Sequence, residues 1–258
     1  MGAMTATIWL LGDPVSKSLS PEMQNAAFEA LGLDCRYMVH QVDRAGLADA
    51  ISELRGDDRI RGANVTIPHK ESVIPLLDEL DPVAARVGAV NTISRVGRQL
   101  RGSNTDVVGF RRALDDCGYQ AAGKAVAVIG AGGAARAVVA ALHGLAARLW
   151  VVARNREQAR ALGDDLHLEP AAAVGIDRMS EVMAEAGLVI NATPADLVEG
   201  ARLRRDQQFF DLRSRRSAEG RAMLLHQGAA SFEIWTGRGA PINVMRAALA
   251  HAAEAVPA

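Results

Sequence analysis

The chain has 258 residues, which is enough for one large domain or two smaller domains with a buried core. Its net charge of -1 and its 4% of aromatic residues give no reason to expect nucleic acid or an anionic membrane as a partner. The two cysteines are far apart, the histidines include no HExxH pair, and no signal peptide or apolar span is visible; the sequence therefore predicts a cytoplasmic protein without a metal site.

Short apolar runs alternate with helical patterns over the first hundred residues. Strands are predicted at 8–11, 37–42, 63–67 and 89–94, and helices at 21–31, 45–54 and 72–77. Ser20 followed by Pro21 is a helix start signal, with serine as the N-cap and proline at the first helical position. This alternation predicts a mainly parallel sheet with helices on its faces.

The pattern changes near Asp106. A helix is predicted at 107–117, with Asn104 or Thr105 as its cap, and the apolar run 125–129 predicts a strand that is buried on both faces. Further strands are predicted at 149–153, 188–192 and 209–212, and further helices at 134–145, 223–237 and 242–253. The class predicted from these elements is α/β, with a second β/α domain beginning at Asp106 and the C-terminal helices packing back on the first domain.

The run Gly-Ala-Asn-Val-Thr-Ile-Pro-His-Lys at positions 62–70 indicates a site at the end of a strand. Side chains alternate along a strand, so Asn64 and Thr66 share one face, and Lys70 follows just past the strand end. Amide, hydroxyl and ammonium groups that converge there suit a small hydroxylated molecule, and a lysine can donate or accept a proton. The alternative is a strand with exposed polar residues and a surface lysine.

A glycine-rich loop lies between the strand at 125–129 and the helix that follows. It contains Gly130, Ala131, Gly132, Gly133 and Ala134. Glycines there permit a tight turn and a close approach of the backbone to a pyrophosphate, and the helix N-terminus offers free N–H groups to that anion. The spacing is GxGGxx rather than GxGxxG, so the strand–loop–helix context carries much of the prediction.

Basic residues after the next strand indicate which dinucleotide binds. The strand at 149–153 is followed by Arg154, Asn155 and Arg156, with no acidic residue to bond the ribose hydroxyls of NAD. Guanidinium groups attract the 2′-phosphate of NADP, so NADP(H) is the predicted cofactor; the alternative for the arginines is a solvated loop. Asn191 and Thr193 close a later strand at the edge where the nicotinamide and its ribose are expected.

Taken together, five motifs in this order resemble those of the shikimate dehydrogenase family over nearly the whole chain. They are Ser18-Leu-Ser20-Pro, Asn64-Val-Thr66-Ile-Pro-His-Lys70, Gly-Ala-Val-Asn91-Thr, Asn-Thr-Asp106 and Met223-Leu-Leu-His-Gln227. The resemblance implies two domains: residues 1–105 with 220–258 bind substrate and carry the catalytic groups, and residues 106–219 form a Rossmann-type domain for NADP.

The resemblance also implies an activity and a role for each motif. The activity is the reversible reduction of 3-dehydroshikimate by NADPH, with Lys70 and Asp106 as the catalytic pair at the reacting oxygen. The residues implied to bind substrate are the carboxylate-binding pair Ser18 and Ser20 and the hydroxyl-binding set Asn64, Thr66, Asn91 and Gln227. Met223 is placed beside the cofactor, with packing in the core as its alternative; the alternatives for Ser20 and Asp106 are a cap and a dipole-favoured helix residue.

One segment departs from the family pattern. After the strand at 209–212 the family carries a motif with Tyr and Pro and then a helix, whereas this chain continues with Arg213, Ser214 and a short stretch to Gly220. Ser214 stands in the place of that tyrosine. Residues 195–197 also differ from the family pattern. A dehydrogenase acting on quinate or an aminoshikimate, and a non-catalytic NADP-binding sensor, are therefore the alternative functions. The chain is expected to be a monomer or homodimer.

Overall fold

A computed structural model of the protein describes residues 5–169, 172–196 and 203–255. The chain divides into two compact units. The first unit comprises the described parts of Met1–Thr105 and Leu224–Ala258, and the second unit comprises those of Asp106–Met223. Each unit contains its own sheet, and the α/β class predicted from the sequence is confirmed.

The first unit is built on a six-stranded mixed sheet. Its strands are β1 (Ala6–Gly12), β2 (Cys35–Gln41), β3 (Ile60–Val65), β4 (Glu79–Leu80), β5 (Thr92–Val96) and β6 (Gln99–Ser103), and they lie in the order β2-β1-β3-β5-β6-β4. Its helices are α1 (Ser20–Ala30), α2 (Leu47–Gly56), α3 (Pro82–Val87) and α9 (Ile242–Ala255). β5 runs antiparallel to both β3 and β6, so the sheet is less parallel than the sequence pattern predicts.

Alternation along β1 explains how this sheet is buried on both faces. Ile8 and Leu10 pack in a cluster with residues of α1 and α9, whereas Trp9 and Leu11 pack in a second cluster with residues of α2. Because successive side chains of a strand point to opposite faces, one apolar run serves both clusters. Packing on both faces holds the strands in place, and with them the polar residues at the strand ends.

The second unit has a parallel five-stranded sheet of the Rossmann type. Its strands are β7 (Ala125–Ile129), β8 (Arg148–Ala153), β9 (Ala173–Gly175), β10 (Leu188–Asn191) and β11 (Gln208–Asp211), in the order β11-β10-β7-β8-β9. Its helices are α4 (Asp106–Asp116), α5 (Gly133–Leu142), α6 (Arg156–Asp165) and α7 (Met179–Glu185), and α8 (Ala218–Thr236) crosses the boundary between the units. The strand order reverses at β7, which is where ligands bind in such sheets.

Several sequence predictions need correction. Ser20 is not the N-cap of α1: it lies inside the helix, Leu19 occupies the cap, and no side chain caps that end. The third strand ends at Val65 rather than at residue 67, because Thr66 begins a turn in which the His69 N–H donates to the Thr66 carbonyl at 2.9 Å. The helix predicted at 72–77 is a single 3₁₀ turn, Ile74–Leu76. The sequence pattern also missed α3, α6, α7, β4, β6 and β9.

A tight turn connects β11 to α8. Ser217 accepts a hydrogen bond from the Gly220 N–H at 2.9 Å and donates one to the Asp211 carbonyl at 2.6 Å. Gly220 lies against the backbone of this turn, since a Cβ there would sit 2.6 Å from the Ser214 nitrogen. The short segment that departs from the family pattern is therefore a closed, hydrogen-bonded junction.

Candidate active site

Seven buried side chains of the first unit form one continuous hydrogen-bonded cluster, here called the polar network. Its members are Tyr37, Asn64, Asn91, Thr92, Thr105, Gln227 and Ser231, and each is between 0% and 8% exposed. They come from β2, β3, the segment before β5, β5 itself, the end of the chain segment after β6, and α8. The network thus joins parts of the chain that are more than a hundred residues apart.

Asn64 is one centre of the network. Its Nδ2 donates to the Asn91 carbonyl at 3.0 Å, to Thr92 Oγ1 at 3.2 Å and to Ser231 Oγ at 3.1 Å. Its Oδ1 accepts from the Tyr37 hydroxyl at 2.8 Å. The antiparallel pairing of β3 with β5 places Asn64 opposite Thr92 and so brings these groups together.

Asn91 is the second centre. Its Nδ2 donates to Thr105 Oγ1 at 2.8 Å and to Gln227 Oε1 at 3.2 Å, and its Oδ1 accepts from the Thr105 N–H at 2.8 Å. Ser231 completes the cluster, since its hydroxyl lies 2.8 Å from Thr92 Oγ1 and 3.1 Å from Thr105 Oγ1. Three of the predicted substrate-binding residues, Asn64, Asn91 and Gln227, therefore belong to one network.

Ser18 and Ser20 form a hydrogen-bonded pair at the start of α1. The Ser18 hydroxyl donates to Ser20 Oγ at 3.2 Å, and the Ser20 N–H donates to Ser18 Oγ at 3.2 Å. Burial strongly raises the pKa of the Tyr37 phenol, and the Ser20 side chain offsets part of that rise. The phenol therefore remains protonated and acts as a hydrogen-bond donor to Asn64.

Lys70 lies on the turn that follows β3. Its carbonyl accepts a hydrogen bond from the Val90 N–H at 2.7 Å. This bond holds the lysine backbone next to Val90, the residue that precedes Asn91. His69, with 0% exposure, lies beneath the turn with Nε2 at 2.7 Å from the Val42 carbonyl, so it supports the structure of the turn. Thr66 is half-buried, and its N–H donates to the Leu11 carbonyl at 2.8 Å. The turn is thus tied to β1 and to the ends of β2 and of the segment before β5.

Asp106 is the first residue of α4 and belongs to the second unit. Its residue is 4% exposed, and it directly follows Thr105 of the polar network. A carboxylate in the first turn of a helix is stabilised by the helix dipole and by free N–H groups. The start of α4 therefore holds the Asp106 carboxylate one residue after Thr105, a member of the network.

The glycine loop has the geometry that a bound pyrophosphate requires. Gly130 has a φ of 121°, and a Cβ there would lie 3.0 Å from the Ala192 carbonyl oxygen and 3.1 Å from Thr193 Cγ2. Gly132 is the N-cap of α5, without a side-chain cap, and a Cβ there would meet no atom within 4 Å. The first N–H groups of α5 thus face a space that no side chain fills, so the residues fit a bound phosphate group.

The residues after β8 present positive charge to solvent. Arg154, Asn155 and Arg156 are all exposed. Asn155 caps α6, because its side chain accepts from the N–H groups of Glu157 and Gln158 at 3.0 and 3.2 Å. The two arginines fit a 2′-phosphate, and the structure assigns Asn155 a further role in holding the start of the helix between them.

Asn191 and Thr193 organise the strand edge beside the glycine loop. Asn191 is 0% exposed, and its Oδ1 accepts from the Thr193 N–H at 3.0 Å and the Thr193 hydroxyl at 2.8 Å. Its Nδ2 donates to the Ala195 carbonyl at 3.0 Å. The Asn191 amide is thus engaged within the protein, where it shapes the turn that contacts Gly130. Met223 is 6% exposed on α8.

A charged cluster holds the neighbouring end of β11. Arg213 donates from Nε to Asp211 Oδ2 at 2.8 Å and from Nη2 to the same carboxylate at 2.6 Å, and a further bond reaches Asp196 at 3.3 Å. These carboxylates raise the pKa of Arg213. The first residue of the segment that differs from the family pattern therefore fastens the ends of two strands.

Sequence reasoning named three members of the polar network as binding residues and missed the other four: Tyr37, Thr92, Thr105 and Ser231. Ser231 lies four residues after Gln227 within a predicted helix, so helical spacing places both on one face, and Ser231 Oγ donates to the Gln227 carbonyl at 3.0 Å. That spacing was a usable signal. Nothing in the local sequence around Tyr37 distinguishes it from a core residue.

Known proteins similar to this chain were found by sequence and by structure. Family profiles described as Shikimate dehydrogenase substrate binding domain, Shikimate / quinate 5-dehydrogenase and Shikimate 5'-dehydrogenase C-terminal domain match residues 10–93, 112–208 and 220–250. A protein of Moorella thermoacetica, named shikimate dehydrogenase (NADP(+)), is 43% identical over 94% of this chain and 92% of its own length. The chain belongs to the shikimate dehydrogenase family. The resemblance seen in its motifs is confirmed.

Solved structures of the shikimate dehydrogenase family share the fold. The enzyme of Aquifex aeolicus is 30% identical with a TM-score of 0.86, and the match covers 96% of this chain and 99% of that one. The enzyme of Thermus thermophilus, solved in complex with NADP(H) and shikimate, is 33% identical with a TM-score of 0.81 over the same shares of the two chains. Among the described residues, no helix has the length and apolar character needed to cross a membrane.

Proposed function

We propose that this protein is an NADP-dependent shikimate dehydrogenase, which reversibly reduces 3-dehydroshikimate to shikimate. Similarity to family members that carry this name supports the activity. The structural observation that carries the proposal is the polar network, in which amide and hydroxyl groups from six segments of the chain meet. Such an array suits a small ring that bears several hydroxyl groups.

Each group of residues has a proposed role in binding substrate. Ser18 and Ser20 bind the carboxylate through their hydroxyl groups, and Asn64, Asn91 and Gln227 bond the ring hydroxyls, with help from Thr66. A site built to bond a hydroxyl discriminates strongly against an analogue that lacks it, because buried polar groups would then be left without partners. The network thereby selects the substrate as well as holding it.

The chemical step needs a proton at the carbonyl oxygen that is being reduced. NADPH, when bound, supplies the hydride. Lys70 donates the proton to the developing alkoxide, and in the reverse direction it accepts the hydroxyl proton. Asp106 orients the lysine ammonium and stabilises its positive charge. A lysine is suited to both directions because it can hold or release the proton at one atom, Nζ.

The cofactor is held mainly by backbone and by exposed positive charge. The glycine loop of Gly130, Ala131, Gly132, Gly133 and Ala134 receives the pyrophosphate at the N-terminus of α5. Arg154 and Arg156 bond the 2′-phosphate, with Asn155 between them. Asn191, Thr193 and Met223 are proposed at the nicotinamide end, Asn191 by fixing the turn that carries Thr193.

The assembly and location of the protein are part of the proposal. Its partners are small molecules, with no role for nucleic acid or a membrane, and it acts in the cytoplasm as a monomer or homodimer. Light scattering of the purified protein at several concentrations distinguishes these two assemblies. Association beyond a dimer would contradict the proposal.

The activity is tested by following the absorbance of reduced nicotinamide. Shikimate and quinate are each offered with NADP and with NAD, at matched concentrations. We expect the highest kcat/KM for shikimate with NADP. A preference for quinate would show that the altered segment after β11 changes the substrate, and tight binding of NADPH without turnover of either acid would indicate a sensor.

A further inference from the structure

The amide of Asn64 has one possible orientation in the polar network. One of its partners, the carbonyl of Asn91, can only accept a hydrogen bond, so the Asn64 atom at 3.0 Å from it must be the donor Nδ2. The other amide atom, Oδ1, therefore faces Tyr37, and the Tyr37 hydroxyl must be the donor in their bond of 2.8 Å. The direction of this bond is fixed by chemistry.

The hydrogen of Tyr37 is committed to this bond. A phenol has a single hydrogen, and that of Tyr37 is engaged with Asn64. Both residues are buried, so losing the bond would leave Asn64 Oδ1 without a donor.

We propose that Tyr37 is a positioning residue for substrate recognition, whose hydroxyl bonds Asn64 Oδ1 and holds the Asn64 side chain in place for a substrate hydroxyl. This proposal rests on the proposed function, which places a ring hydroxyl at Asn64. Tyr37 is 1% exposed and therefore acts through its neighbours rather than by touching substrate.

The arrangement has a physical basis in the capacity of each atom. The two hydrogens of Asn64 Nδ2 are shared among three acceptors, whereas Oδ1 has one partner and a second lone pair. Without the Tyr37 hydroxyl, Oδ1 loses its buried donor. The Tyr37 hydroxyl therefore holds the oxygen end of the Asn64 amide, as the three acceptors hold its nitrogen end.

The first experiment replaces Tyr37→Phe, which removes one oxygen and retains the ring. We expect the KM for shikimate to rise about tenfold, the equivalent of one buried hydrogen bond, with kcat changed less than about threefold. The affinity for NADPH should stay unchanged. A KM for shikimate equal to that of the wild type would overturn the proposal, and so would an equal loss of affinity for substrate and cofactor.

The other tyrosine of the chain is a matched control. The Tyr119 hydroxyl lies 2.8 Å from the Phe209 carbonyl and 2.9 Å from a Glu219 carboxylate oxygen within the second unit, and its single hydrogen serves these two acceptors. Tyr119→Phe therefore also removes a bonded phenol oxygen. We expect Tyr119→Phe to leave the KM for shikimate unchanged. A similar rise in both variants would show a general effect of lost stability and would refute the positioning role.

A double-variant cycle tests whether Tyr37 acts through Asn64. In the Asn64→Ala background, Tyr37→Phe should raise the KM for shikimate less than about twofold further, because the group that it positions is gone. If Asn64→Ala does not fold, Asn64→Leu replaces it, since leucine keeps the size of the side chain and has no oxygen for the Tyr37 hydroxyl to bond. Independent, multiplying effects in the cycle would contradict the proposal.

A measurement without turnover separates this proposal from the proposed activity. The side-chain ¹⁵N and amide-proton chemical shifts of Asn64 should change in Tyr37→Phe, because the amide oxygen loses the bond that it accepts, and should stay as in the wild type in Tyr119→Phe. A wild-type protein that binds no shikimate would refute the proposed function and with it the recognition role of Tyr37. Unchanged shifts in Tyr37→Phe would refute the positioning of Asn64 by Tyr37, even where shikimate is turned over.

Discussion

The polar network of the first unit and the glycine loop of the second unit prepare for ligands in opposite ways. In the network, buried side chains engage one another closely, with Asn64 bonded to four partners. At the glycine loop, side chains are absent where a Cβ at Gly132 would find open space, and the nearby Arg154 is exposed. One region presents atoms held in place, and the other leaves room beside a helix terminus.

The difference teaches which changes each region tolerates. Removing one polar atom from the network leaves a buried partner unsatisfied, which is costly. Adding one methyl group to the loop obstructs the approach of backbone to phosphate. The first region is therefore sensitive to subtraction and the second to addition, and the variants below test this contrast.

Lys70→Ala is expected to have the largest effect, because Lys70 is the proposed proton donor of the chemical step. Loss of the proton donor should lower kcat by about 10²- to 10⁴-fold, with NADPH affinity unchanged. Stopped-flow or steady-state rates and a fluorescence titration with NADPH measure the two quantities. Lys124→Ala, at a lysine that bonds Gln208 in the second unit, is the control. A kcat near that of the control would remove Lys70 from the mechanism.

Arg154→Ala tests how the second unit distinguishes NADPH from NADH. Loss of a charged bond to the 2′-phosphate should weaken NADPH about 10- to 100-fold and NADH less than about threefold. The dissociation constants of both cofactors are measured by titration. Arg178→Ala, which removes an exposed arginine paired with Glu181, is the control. If NADPH and NADH weakened equally, Arg154 would not bind the 2′-phosphate.

Gly132→Ala tests sensitivity to addition directly. A methyl group at 132 meets no protein atom, so the free energy of unfolding should change by less than about 1 kcal/mol. The same methyl group lies where the pyrophosphate must approach, so NADPH should bind about tenfold more weakly. Thermal unfolding and cofactor titration give the two values.

Gly130→Ala is the counterpart of Gly132→Ala, and comparing the two variants separates backbone strain from obstruction of the cofactor. Its φ of 121° and its contact with Ala192 should cost about 1–3 kcal/mol of stability in addition to cofactor affinity. If Gly132→Ala binds NADPH as tightly as the wild type, the pyrophosphate does not lie against this glycine, and the contrast between the two regions is lost.

Ser217→Ala is expected to have the smallest effect. It tests whether the junction between β11 and α8 contributes to stability alone or also to the substrate site. The hydroxyl bonds the Gly220 N–H and the Asp211 carbonyl, so its loss should reduce stability by about 1 kcal/mol. Chemical denaturation measures the change. Kinetic constants should stay near wild type, and a large rise in the KM for shikimate would instead assign the junction to the substrate site.

Local sequence patterns predicted much of the fold. The strand β7 was predicted with its observed bounds, because it is a short apolar run with a glycine near each end. α6 was missed, since its sequence is mostly polar, with only Ala159, Leu162 and Gly163 buried, and its start is marked by the Asn155 cap. β6 was missed because Gln99 and Arg101 alternate with buried residues over only five positions.

The residues of the candidate site also differ in how well local sequence predicts them. Residues such as Lys70 and Gly130 belong to short motifs, so the neighbouring residues in sequence identify them. Ser231 and Asn64 lie 167 positions apart, and only the packing of α8 against the end of β3 makes them partners. The role of Asn191 was also beyond local sequence, because it depends on the turn that its own amide bonds create.

The neutral character of the polar network has a consequence for acid–base behaviour. Its amides and aliphatic hydroxyls do not ionise near neutral pH, and burial raises the pKa of Tyr37, the one titratable member, further away from that range. The network therefore keeps the same charge and the same donor pattern as the solution changes from mildly acidic to mildly basic. Any bell-shaped dependence of kcat/KM on pH reports groups outside it, and the selectivity for ring hydroxyls should remain constant across the whole bell.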